Sequence, residues 1–168
     1  GQICIIALLS RRCHLSRTIV AIFERNADHA DALVSMLRGF PQLEILYFSD
    51  PERLLADQLH VDVYVLGLDD MCADQIALLH RLRLTQKGQH AGIALCSAKT
   101  EDALVGAFEE HDFDSFVSKD WVSPAQMYLA VTAALRSARW RLNHKCAVHG
   151  MANLCCKFTE TVKPEAAE

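Results

Sequence analysis

The sequence is poor in residues that break regular structure. It has seven glycines and four prolines in 168 residues, which excludes collagen-like and low-complexity chains. It has no C-x-x-C pair. Its seven cysteines (Cys4, Cys13, Cys72, Cys96, Cys146, Cys155 and Cys156) are odd in number and irregularly spaced, which excludes a secreted disulfide framework. Its apolar run at residues 3–9 is seven residues long, far short of a membrane span. No basic segment precedes that run and no small-x-small cleavage pattern follows it, so it is a poor signal peptide. The expectation is a cytoplasmic chain with reduced thiols and no membrane partner.

Acidic residues are missing from two stretches. Residues 1–17 carry Arg11, Arg12 and Arg17 and no acid, and residues 136–149 carry Arg136, Arg139, Arg141 and Lys145 and no acid. Between them, residues 18–135 hold 8 basic and 18 acidic residues, a net charge of −10. Such a body is a poor nucleic-acid reader over most of its surface. What is abundant is apolar: 51% of residues, with a mean hydropathy of +0.10. A chain of this length can bury a real core without disulfides or metals. The arithmetic gives one domain with residues left over at its ends.

From Thr18 strand-like and helix-like runs alternate. Thr18–Phe23 (TIVAIF) is a continuous β-branched run, as expected of a strand buried on both faces. Asn26 and Asp28 can cap a helix to about Arg38, and Gly39 stands at its end. Leu43–Phe48 reads as a second strand. Ser49, Asp50 and Pro51 open a short helix to about Leu59. Residues 61–68 read as a third strand, 74–84 as a helix, 92–96 as a fourth strand, Glu101–Glu110 as a helix and 113–117 as a fifth strand. Ser123 and Pro124 then open a long helix.

Five β-α units with short connections require parallel strands and right-handed crossovers. The predicted fold is α/β: a doubly wound, five-stranded parallel sheet in a three-layer sandwich, with an extended last helix. Chemistry in such folds sits at the carboxyl ends of the strands, here just after Phe23, Leu66, Cys96 and Val117.

Read at those ends, residues 18–135 resemble the response-regulator receiver family, a flavodoxin-like (βα)5 fold whose single-domain type is the chemotaxis response regulator. Residues 95–119 (LCSAKTEDALVGAFEEHDFDSFVSK) are similar to the family's passage from the fourth strand to the lysine after the fifth. Residues 61–70 are similar to the third strand that normally ends in the phosphoacceptor aspartate, and TIVAIFERN to the first strand that normally ends in two acids. The resemblance implies a site in which those acids hold Mg²⁺ through oxygen ligands. The acceptor carboxylate attacks a phosphoryl group, a Ser or Thr binds its oxygens, and the lysine pairs with it.

Carried onto this sequence, the acidic pair is Phe23 and Glu24. The acceptor is Gly67, which has no side chain to act as nucleophile or ligand. The hydroxyl position is Ser97, Cys96 being its alternative. The lysine is Lys119, and the aromatic switch is Phe116. Asp120 stands where the family usually has proline. Asp69 shares strand parity with Gly67 but lies about 6–7 Å further along an extended chain. With Asp70 it reads as solvated loop surface. Lys119 is expected to pair with Glu24 as a structural remnant, and Ser97 to cap the following turn. These substitutions imply a pseudo-receiver that is not an enzyme, needs no cofactor and cannot switch by aspartyl phosphorylation.

The family commonly binds partners through its fourth helix, fifth strand and fifth helix. Here that region carries Phe116, Trp121, Met127, Val131 and Leu135. Met127, Val131, Leu135, Ala138 and Leu142 form one apolar stripe on a helix of about 20 residues. Its first half is expected to pack on the sheet and its second half to project as a dimerising or partner-docking element. Residues 136–168 are thus a helix extension followed by a polar tail beyond Lys157, and residues 1–17 an extension without an assigned role. His144, Cys146, His149, Cys155 and Cys156 carry metal-ligand side chains, but their spacing fits no zinc pattern, so no metal is expected. Cys72 and Cys96 fall near the pocket end of the sheet, and buried free cysteine usually behaves as a small hydrophobe. The leading expectation is signalling through a protein partner or a homodimer. The alternatives are the receiver part of a larger regulator, with a cyclic-dinucleotide enzyme or nucleic-acid-binding output, and a small-molecule sensor using the emptied phosphorylation pocket.

Overall fold

The computed structural model describes residues 17–69 and 71–160, and their side chains except at 101, 121 and 145–160. Five parallel strands form one sheet in the order β2-β1-β3-β4-β5. They are β1 (Thr18–Phe23), β2 (Leu43–Phe48), β3 (Val63–Gly67), β4 (Gly92–Ser97) and β5 (Ser115–Ser118). The helices are α1 (Ala27–Arg38), α2 (Pro51–Ala56), α3 (Ala73–Leu84), α4 (Glu101–Glu110) and α5 (Pro124–Glu160).

The alternation of each strand sorts its side chains into two cores. Ala21, Phe23, Tyr64, Leu66, Ile93 and Leu95 face the side covered by Leu54 of α2, Leu78, Leu79 and Leu82 of α3, and Ala107 of α4. Val20, Ile22, Val63, Val65, Ala94 and Cys96 face the side covered by α1 and α5. Both faces are covered, which is why the central strands read as unbroken apolar runs.

Local chemistry sets the boundaries. Asn26 caps α1 by accepting hydrogen bonds from the backbone N–H groups of Asp28 and His29, and Asp50 caps α2 through Glu52 N–H. The short helix ends at Ala56 rather than Leu59, because the Asp57 carboxylate turns the chain by accepting from Leu59 N–H. The third strand begins at Val63 rather than residue 61, and Asp62 instead accepts from Ile19 N–H at 2.8 Å. The fourth strand runs one residue further, to Ser97, and the fifth begins at Ser115 rather than 113.

The last helix is 37 residues long, not about 20, and continues through Lys157 to Glu160. Its first part packs on β4 so closely that a Cβ at Gly92 would stand 2.5 Å from the backbone of Ala134. Only glycine permits that approach. At the amino-terminal end of the sheet Asp114 is nearly buried, and its carboxylate is held by Arg83 at 2.9 Å, by Arg141 and by Ile93 N–H at 2.8 Å. This cluster fastens α3 and α5 to the sheet.

Candidate functional site at the carboxyl ends of the strands

The opposite end of the sheet gathers Glu24, Gly67, Asp69, Ser97 and Lys119. Phe23 ends β1 with its ring in the core, and the chain then delivers Glu24 across from Gly67. Glu24 is 1% exposed. Its Oε1 accepts from Asn26 N–H at 2.9 Å, and its Oε2 accepts from Lys119 Nζ at 2.5 Å. The Tyr47 hydroxyl donates to the Glu24 carbonyl at 3.1 Å and steadies the backbone there.

Asp69 is not free loop surface. Its carboxylate forms a second ion pair with Lys119. The chain bends after β3, and Met71 adopts a left-handed φ of 50°, a conformation uncommon for a side chain of its size. Met71 N–H donates to Gln75 Oε1 at 3.0 Å. Asp70 lies outside the described residues. Ser97 is fully buried; its hydroxyl donates to the Asp69 carbonyl at 3.3 Å and accepts from Lys99 N–H at 3.2 Å. It joins the loops after β3 and β4.

Burial alone would lower the Lys119 pKa. The hydrogen bonds it donates to Asp69 and Glu24, with the charges of those carboxylates, outweigh it and raise the pKa above the ordinary lysine value. Cys96, on β4, is pushed up to about 12, chiefly by burial, against the pull of Lys119. Its thiol stays protonated, whereas Cys72 is exposed.

A magnesium ion does not fit these residues. Glu24, His29 and Asp69 bring ligand atoms within 4.8 Å of one another, but the Lys119 ammonium stands among them. Besides its two carboxylates it lies 3.5 Å from His29 Nδ1. Gly67 contributes no ligand, and Mg²⁺ requires a near-octahedral oxygen shell.

No family model matches the sequence, and no curated protein matches it. Solved structures do. The RcsB response regulator of Salmonella typhimurium superposes with a TM-score of 0.61 at 17% identity, over 73% of this chain and 61% of that one. The chain thus spans less than two thirds of that regulator. The receiver domain of a sensor histidine kinase from Pseudomonas aeruginosa, which has magnesium coordinated in its active-site cleft, gives 0.57 at 15% identity over 70% and 97% of the two chains. A CheY-like receiver domain from Methanospirillum hungatei gives 0.59 at 13% identity over 75% and 99%.

The chain has the receiver fold.

The first half of α5 packs on the sheet as expected, and this takes Met127 and Val131 out of the interaction face. Met127 and Val131 are fully buried against the sheet and Leu135 is half-buried there, because this half of α5 closes the second core. Met127 and Val131 offer no surface. The exposed apolar groups nearby are Val105 and Phe108 on α4 and Leu129 and Trp140 on α5. Phe116 is half-buried and joins Phe108 and Phe113 in an aromatic cluster, with ring centroids 5.3–6.4 Å apart. Trp121 lies in a short 3-10 turn after β5, and its side chain is outside the described residues. So are those of Cys146, His149, Cys155 and Cys156. His144 is exposed and stacks on Trp140 at 4.9 Å.

Among the described residues the Glu24 carboxylate fills the space beside Gly67. A cavity that Lys119 lines with His29, Leu33 and Cys96, of about 170 Å³, is small for a ligand site. Sequence reasoning missed His29 and Asp69 as neighbours of Lys119. The only signal for His29 was the Asn26 cap, which fixes where the first turn of α1 begins. Among the described residues no helix is long and apolar enough to cross a membrane.

Proposed function

We propose that this chain is a pseudo-receiver that acts in signal transduction by phosphorylation-independent contact with a protein partner, and that it catalyses no reaction of its own. Gly67 carries the reading. The position that holds the acceptor carboxylate in a working receiver has no side chain here, and among the described residues the two carboxylates gathered beside it are already paired. Glu24 and Asp69 are both engaged by Lys119. Receiver domains work by presenting surface to other proteins. Here, beside the edge strand β5, exposed Phe108 and Trp140 line one groove with Arg136 and Arg141, and Val105 and Leu129 are exposed on the same two helices. Apolar grooves of this kind, rimmed by charge, mark interaction sites. A second copy of the chain, meeting it through α5, is one partner of this type.

Two measurements test the reading. Titration with beryllofluoride and Mg²⁺ is expected to give no saturable binding; stoichiometric binding would sink the phosphorylation-independent part. Light scattering on the full chain and on Trp140→Glu tests the homodimer. A dimer that the substitution converts to monomer supports α5 as its interface, and a monomeric parent chain removes the homodimer from the proposal.

A second reading, the receiver part of a larger regulator, is favoured by the partial span of RcsB and by the 37-residue α5. Continuation of the reading frame beyond Glu168 into an output domain would support it.

A further inference from the structure

Glycine at 67 removes a nucleophile, and it also makes room. The register of β1 on β3 pairs Phe23 with Leu66, so one step on Glu24 stands across from Gly67. A Cβ on Gly67 would overlap Glu24 Oε2 outright, stand 2.8 Å from Glu24 Cδ and lie 3.2 Å from the Phe23 carbonyl oxygen. A carboxylate at the end of a flexible side chain ordinarily swings aside. This one is buried, and swinging would break its bonds to Asn26 N–H and Lys119 Nζ.

We propose that positions 24 and 67 are mutually exclusive. The carboxylate supplied from β1 by Glu24 occupies the volume that any side chain on β3 at 67 needs, and Lys119 replaces a divalent cation as the positive charge of the cluster. Two independent facts converge on this. The steric one is the overlap at Gly67. The electrostatic one is that the Lys119 ammonium already bridges Glu24 and Asp69 and faces His29. A divalent cation would have to expel an ammonium whose side chain is only 9% exposed. The cluster is therefore a permanent clasp between the ends of β1 and β5 and the loop after β3, complete without metal or phosphoryl group.

The test is a double-mutant cycle read by thermal melts of the full chain, with and without millimolar Mg²⁺. Gly67→Ala is expected to lower the melting temperature by about 5–10 °C, because its methyl evicts the Glu24 carboxylate. In a Glu24→Ala background the same substitution is expected to cost no more than about 2 °C. Mg²⁺ is expected to leave the parent melting temperature unchanged. Equal costs of Gly67→Ala in both backgrounds would overturn the exclusion, and a saturable rise with Mg²⁺ would overturn the cation replacement. If Gly67→Ala alone does not fold, recovery of folded protein in the double variant supports the proposal, and failure of both variants to fold counts against it. The melt involves no partner, so failure here leaves the partner reading standing.

Discussion

The two ends of the sheet carry opposite ionic arrangements. At the carboxyl end two carboxylates, Glu24 and Asp69, share one ammonium, that of Lys119. At the amino end one carboxylate, Asp114, is held by two guanidiniums, Arg83 and Arg141. Each cluster ties together elements distant in sequence. Lys119 connects β5 to residues 95 and 50 positions earlier. Asp114 connects the start of β5 to α3 and α5 and accepts from the backbone of β4. The amino end is built as a brace, since Arg83 also donates to the carbonyls of Gly88, Ala91 and Asp112. The carboxyl end is where a receiver fold does its chemistry, yet here it is satisfied in the same way. The difference lies in the cation. A guanidinium stays charged at any pH a protein survives and fits several acceptors at once, whereas an ammonium is a point charge that can be lost.

Substitution can break the symmetry between the two braces. Asp114→Ala is expected to have the largest effect, about 3–5 kcal/mol in urea unfolding, because it removes the carboxylate shared by Arg83 of α3 and Arg141 of α5. A loss within the error of the measurement would mean that the brace is ornamental. Lys119→Met is expected to cost less, about 2–3 kcal/mol, since Asp69 is partly exposed and water can repair its side of the cluster. Adding Glu24→Gln to Lys119→Met should restore most of that loss, and no recovery would show that Glu24 is not left unpaired.

Alkaline titration should separate the ends without mutation. The Lys119 pKa is raised in the folded chain. Its contribution to stability is therefore complete below the ordinary lysine value of about 10.4 and is lost as pH climbs through the higher folded value. Lys119→Met should remove this alkaline dependence, while Asp114→Ala should leave it in place; the reverse pattern in pH-dependent melts would assign it to the wrong end. The smallest effect is chemical. Peptide mapping after alkylation of the native chain at mildly alkaline pH should find Cys72 modified and Cys96 untouched, because burial keeps the Cys96 thiol protonated. Modification of Cys96 at the same rate would mean that the carboxyl end opens readily.

The elements were legible because their signals are local. The run TIVAIF, the caps at Asn26 and Asp50, and Pro51 and Pro124 at helix starts announce themselves within a few residues. The residue matches at Glu24, Gly67, Ser97 and Lys119 were legible too, through their places at strand ends. The contacts among them were not. Asp69 read as solvated because a loop residue gives no local sign of the lysine, 50 positions on, that the fold brings to it. Met127 and Val131 were expected to pack on the sheet, as they do, but their assignment to an interaction face came from the family and not from the stripe, which does not say how much of it is covered. The length of α5 was underestimated because its second half lacks a strong apolar period.

By itself, then, the sequence determined the five β-α units, their parallel winding and a position without a side chain, Gly67, at the end of the third strand. Those follow from side-chain periodicity, capping and the absence of one side chain, all written in neighbouring residues. Only the tertiary structure decided that the space beside Gly67 is filled and that Lys119 holds two acids rather than one. It alone set a second brace at the far end of the sheet. Volume exclusion and charge pairing act between residues up to 95 positions apart, and their outcome depends on which side chains the packed sheet brings within reach.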